Sequence, residues 1–191
     1  MSNEGLTSGP PRGRRVLRRV VIGFAAVGLA AVGAVVFPRT AERMGPVADV
    51  AVQAERAARE VGFEPSVPSG LPEGWTVTSA KVRRTSRDRA VWHVGMRSAD
   101  GHFVGLDQVV GADPGWIQGQ VSSGQETGTH TVGRRSWILR ERVERGTVGL
   151  VHTGPRVTTV VTGHALPDEI PIALAAAEKL ASALDLPDTR L

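Results

Sequence analysis

The chain has 191 residues, a formal net charge of +4 and no cysteine. Without cysteine there are no disulfides and no thiolate chemistry, so an apolar core must hold the folded part; roughly 150 residues suffice for one such domain. The sequence pI of 10.8 does not mark a nucleic-acid face. Five Arg against one Glu in residues 1–37 supply the whole positive excess, and the rest balances at eighteen of each sign.

Residues 1–19 are expected to form a disordered basic tail, with Gly, Ser and Pro first and then Arg12, Arg14, Arg15, Arg18 and Arg19. Residues 20–37 (VVIGFAAVGLAAVGAVVF) follow without a charge or a strongly polar side chain. As a helix this run would rise ~27 Å, close to the apolar thickness of a bilayer. The arginines before it place the N-terminus in the cytoplasm and the rest outside. The expectation is a single-pass anchor in the cytoplasmic membrane. A cleaved signal peptide is the alternative: Ala31, Gly33 and Ala34 are small, and Arg14-Arg15 faintly resembles a twin-arginine signal. No cysteine follows, which excludes a lipoprotein.

After a linker at 38–45, an outer domain is expected over 46–186, with a fraying tail at 187–191. Residues 46–61 predict an amphipathic helix. Val47, Val50, Ala51, Ala54, Ala57, Ala58 and Val61 share one face, Pro46 suits the first turn and Gly62 the C-terminal cap. Residues 63–74 carry three Pro and two Gly and predict an extended connection. A strand follows to Arg83 in strict alternation, with Val77 on one side and Ala80 and Val82 on the other. Residues 83–89 (RRTSRDR) predict a charged loop.

Residues 90–97 and 102–110 flank Asp100-Gly101, a strong hairpin signal. Trp92, Val94 and Met96 alternate in its first strand. Phe103 or else His102 heads the matching face of the second. Gly95 and Gly105 are expected near each other, at a bend or bulge. Asp113-Pro114 begins a short helix or turn, and 119–128 is loop-like. Strands are expected at 129–132, 136–143, 147–153 and 157–162, the last rich in β-branched residues. Residues 167–184 predict a second amphipathic helix, with Ile170, Ala173, Leu174, Ala177, Leu180, Ala181 and Leu184 on its apolar face. Helix, six or seven strands in sequential hairpins and a second helix make an α+β domain: a mainly antiparallel sheet packed with an N-terminal and a C-terminal helix, behind a transmembrane segment. Whether both helices share one face of the sheet stays open.

Candidate chemistry is sparse. The five histidines form no metal-ligand spacing, no P-loop is present, and neither cofactor nor metal is expected. The best polar cluster is on the hairpin, where His93 could face Asp107 or Leu106 and Gln108 adjoins. A His beside a carboxylate is the minimum for general acid–base work. Ser79, Ser136 or Thr158 would have to supply a nucleophile, and none sits on a G-x-S-x-G elbow. A cross-strand polar pair is the plainer reading. Trp116, in an apparent loop, could meet a partner or lipid. Arg83, Arg84 and Arg87 could meet an anionic polymer or lipid surface.

Several short motifs recur together: Leu71-Pro72-Glu73-Gly74-Trp75, Trp92-His93-Val94-Gly95, Asp100-Gly101, Gly105-Leu106-Asp107-Gln108, Gly133-Arg134 with Trp137, and Val160-Val161-Thr162-Gly163. With the N-terminal anchor, this ordered set resembles the DUF4245 family of membrane-anchored proteins from high-GC Gram-positive bacteria, over about residues 20–184. Asp107 departs from the glutamate of the family's short motif, which shortens the carboxylate's reach. The resemblance implies an anchored extracytoplasmic domain and supplies no activity. Three functions are therefore carried forward: an accessory or binding module of the cell envelope with a protein partner there, an envelope hydrolase or lyase using His93 and Asp107, and a structural subunit of a membrane complex. Gly23 and Gly28 to Gly33 give the last weak support through helix pairing in the membrane.

Overall fold

The computed structural model describes residues 49–186. The expected tail, anchor and linker (1–45) and the last five residues lie outside that range. Among the described residues, no helix is long and apolar enough to cross a membrane.

The first helix, α1 (Val50–Val61), starts later than the apolar spacing suggests. Asp49 is its N-cap: the side chain accepts from the Ala51 amide at 3.1 Å, satisfying a donor that the helix cannot. Gly62 closes the helix in the left-handed conformation. Seven strands follow: β1 (Thr76–Arg84), β2 (Ala90–Arg97), β3 (Phe103–Val110), β4 (Gln125–Val132), β5 (Arg135–Arg142), β6 (Thr147–Thr153) and β7 (Val157–His164). A short helix, α2 (Pro114–Gln120), connects β3 to β4, and α3 (Ile170–Ser182) follows β7.

The strands make one antiparallel sheet in the order β1-β2-β3-β7-β6-β5-β4. Two meanders, β1 to β3 and β4 to β7, are joined where their last strands pair. The α+β architecture read from the sequence is present. The 90–97 strand and its Asp-Gly turn fall as expected, and the Gly101 amide bonds to the Ser98 carbonyl at 2.9 Å.

Strict alternation in β1 would divide Val77 from Ala80 and Val82. The strand instead bulges at Thr78: Val77 pairs with Met96, and Ser79 pairs with Gly95. One extra residue brings Val77, Ala80 and Val82 onto the same apolar core. In β3, the residues facing Trp92, Val94 and Met96 are Gln108, Leu106 and Val104, so Phe103 lies on the opposite face.

Both long helices pack on one face of the sheet, which answers the open question. Ala54, Ala57 and Val61 of α1 and Ala176, Ala177 and Leu180 of α3 share one core with Trp92, Val94, Met96, Leu106, Leu150 and Val161. Small side chains let the helices sit close. Gly163 of β7 is required there, because a Cβ would overlap the Ala173 carbonyl of α3. The other face carries a smaller core of Val91, Val109, Trp116, Val121, Val151 and Val160, covered by α2.

Candidate functional site

His93 and Asp107 are register partners on β2 and β3. They lie on the face that α2 partly covers. His93 Nδ1 is 3.0 Å from Asp107 Oδ1, and both side chains are buried. A carboxylate only accepts, so Nδ1 is the donor. Arg83 reaches the same oxygen from β1, with its Nη2 at 2.5 Å. Of the two partners that the sequence leaves open for His93, the register selects Asp107 over Leu106; the sequence misses Arg83, which it assigns to the charged loop. The strand register brings it in: Arg83 opposes Val91, two residues from His93 on the same face.

This trio can orient a histidine. It lacks the next part of a nucleophilic device. Among the described residues, His93 hydrogen-bonds to Asp107 and to no hydroxyl. Ser79 pairs with Gly95 on the neighbouring row, and Thr158 and Ser136 lie on strands farther across the sheet. The adjacent floor is Gly95 opposite Gly105, paired as the sequence predicts. The Phe103 ring covers both, 3.3 and 3.4 Å from where their Cβ atoms would stand. The aromatic ring thus substitutes for the missing side chains.

Gln108 does not join this cluster. Successive strand residues point to opposite faces, and Gln108 belongs to the face that packs the long helices. Its Oε1 accepts from the Ser66 amide at 2.8 Å, and its Nε2 donates to Ser66 Oγ at 2.9 Å and Thr159 Oγ1 at 3.1 Å. Trp92 Nε1 donates to the Ser66 carbonyl at 3.1 Å. Val82, Trp92, Gln108, Thr159 and His152 form one row across five strands at the end of the apolar core.

The arginine loop is not a free basic patch either. Arg84 pairs with Glu60 at 2.9 Å and Asp88 at 3.2 Å, Arg87 pairs with Asp113 at 2.7 Å, and Arg89 also binds Asp113. The Glu60 hydrogen bond, then the charge of Asp88, raises the Arg84 guanidinium further above its ordinary value. Asp113 is held below the usual carboxylate range, first by the Trp116 amide that it caps and then by Arg89. Trp116 is a correction as well. It is 9% exposed, buried under α2 against the sheet, and presents no free aromatic surface.

A cleft that the sequence does not announce lies beside the polar row. It has a volume of about 720 Å³. The 63–69 segment forms one wall, and Arg156 and Val157 with Asp185 form others. Gln108, Thr159 and His152 line its floor. The segment is extended, as its prolines predict, and is pinned at its middle and its C-terminal end. Pro68 bridges to Leu184, the Ser69 amide bonds to the Ala183 carbonyl at 2.9 Å, and Ser66 is gripped by Gln108. His152 Nδ1 lies 3.1 Å from the Ser136 carbonyl. A carbonyl only accepts, so Nδ1 is the donor in that contact.

The remaining histidines are dispersed. His130 on β4 contacts Glu178 of α3, and His164 meets Thr147 Oγ1 at 3.3 Å. Burial holds the His164 imidazole below its ordinary value. Among the described residues, no group of three or more His, Asp or Glu could hold a metal ion.

No curated protein matches the sequence significantly. The family model described as "Protein of unknown function (DUF4245)" matches residues 12–177, a span that takes in the hairpin, the two-meander sheet and most of α3. The chain belongs to the DUF4245 family.

Proposed function

We propose that this protein is a binding module of the cell envelope, tethered to the cytoplasmic membrane by residues 20–37 with its domain outside. The tether rests on the apolar run and the arginines before it. The binding role rests on one observation, the cleft of about 720 Å³ beside the pinned 63–69 segment. Its volume falls in the range of small-ligand sites, and fixed polar groups meet apolar walls there. The ligand or envelope partner would enter between Phe63 and Val157. Trp116, Arg83, Arg84 and Arg87 take no part in this reading, because burial and ion pairing occupy them.

The test uses intact spheroplasts carrying the full chain with a photoreactive benzoyl-phenylalanine at position 157. Digestion of the domain by external protease, together with a discrete light-dependent adduct, supports both parts. A protected domain or a released mature chain overturns the tether. A membrane-held chain with no adduct overturns the cleft.

A second reading, an envelope hydrolase or lyase, is favoured by the 3.0 Å contact between His93 and Asp107. Turnover on a hydrolase panel that His93→Ala abolishes would establish it. Activity unaffected by that change, or no activity, would remove it.

A further inference from the structure

The sheet has two edges, and they are treated differently. The β1 edge carries Lys81, Arg83 and Arg84, and its ladder is broken by the bulge at Thr78. Charges and bulges are how natural sheets protect an edge from further pairing. The β4 edge (QETGTHTV) has neither Lys, Arg nor Pro, and Glu126 is its one charged residue. Its register shift lies near its start, between Glu126 and Gly128. Beyond it, Gly128 to Val132 pairs regularly with β5, and Thr129 and Thr131 are exposed. Among the described residues, β4 has one strand neighbour, β5. Among the described residues, no strand therefore takes up its outer row of backbone donors and acceptors.

We propose that β4 is the surface by which two copies of this chain associate, antiparallel about a two-fold axis at His130. A strand that pairs with itself antiparallel closes on two copies, which an edge open to unrelated strands does not. The five-residue stretch suits this. It contains no Asp, Glu, Lys or Arg, so the one titratable pair to meet at the axis is His130 with its own copy. Thr129 of one copy falls opposite Thr131 of the other, twice by symmetry, and such pairs favour pairing. His130 is drawn toward α3 by Glu178. Five residues per copy make a small contact, so the dimer exchanges with monomer rather than persisting.

The absence of cysteine makes a clean test. Full-length chains carrying Thr129→Cys and Thr131→Cys singly are purified in detergent, mixed and mildly oxidised. The expected product is the mixed 129–131 disulfide, well above either homodimer. A Lys81→Cys chain, on the β1 edge, is expected to give little. Equal yields from all combinations, or none above the Lys81→Cys control, overturn the proposal. A second variant guards against cysteine artefacts. Thr129→Lys with Thr131→Lys opposes like charges across the axis and is expected to weaken association about tenfold in sedimentation velocity. Unchanged association in a chain with unaltered circular dichroism overturns it.

Discussion

Gln108 and Ser66 hold each other at both ends. The Ser66 amide donates to Gln108 Oε1 at 2.8 Å, and Gln108 Nε2 donates to Ser66 Oγ at 2.9 Å. The residues are 42 positions apart, and both are buried. This contact fixes a proline-rich segment that has no ladder of its own.

Gln108→Leu keeps the bulk of the side chain and removes its bonds. The Ser66 amide is then buried without a partner, which costs about 1–3 kcal/mol. The denaturant midpoint of the full chain is expected to fall accordingly. The 63–69 segment is expected to become the first protease site. An unchanged midpoint would mean that water replaces the amide's partner.

Asp107 joins three strands through one oxygen. Asp107→Ala leaves His93 and Arg83 without their shared acceptor. Loss of one partner from a fully buried pair costs ~3–5 kcal/mol. The Arg83 side chain is 43% exposed and can turn to water, so a smaller loss of about 1–3 kcal/mol is expected. A change within about 0.5 kcal/mol, as at an ordinary surface site, would show that the trio contributes nothing to the fold. It would leave a chemical role as the better reason for it.

Trp116→Ala distinguishes a core residue from a contact residue. Emptying this site under α2 is expected to cost about 3–5 kcal/mol, as for other buried tryptophans. Urea unfolding followed by circular dichroism measures it. A partner-binding tryptophan on the surface would instead change stability little.

His164 gives the protein a pH dependence whose sign follows from burial. Its folded pKa lies below the ordinary 6.5. The unfolded chain therefore takes up the proton first as pH falls. The contribution is full above pH 6.5 and is lost progressively below it, toward the folded value. His164→Asn is expected to flatten the stability profile between pH 6.5 and about 5, before carboxylates begin to titrate. A profile that keeps its slope in the variant would assign the slope to another group.

The sequence was most legible where one local rule decides the structure. Asp100-Gly101 between alternating runs determines the central hairpin, and the Leu180 face of α3 follows from helical spacing. It was least legible where distant residues decide. The 125–128 stretch reads as loop because an outermost strand is polar on both sides. The bulge at Thr78 exists to serve a core that the local alternation cannot express. Gln108 adjoins Asp107 in sequence yet points through the sheet to the other side. Asp88 pairs with Arg84 inside the arginine loop, but the loop's other anionic partners, Glu60 and Asp113, come from α1 and the β3–α2 turn. No spacing within the loop reveals Glu60 or Asp113.

The junction of β3 with β7 makes the domain separable in principle. The N-terminal half holds α1 and β1 to β3, and the C-terminal half holds α2, β4 to β7 and α3. Each half has its own meander and a helix for the same face, and the exposed Gly111 lies between them. Cleaving the chain after Gly111 would cut no strand. Residues 1–111 and 112–191, expressed together, are expected to reassemble along the β3–β7 ladder and co-purify, whereas each alone leaves half of the core uncovered. The family's fold would then behave as a split reporter, with complementation of the halves as its signal.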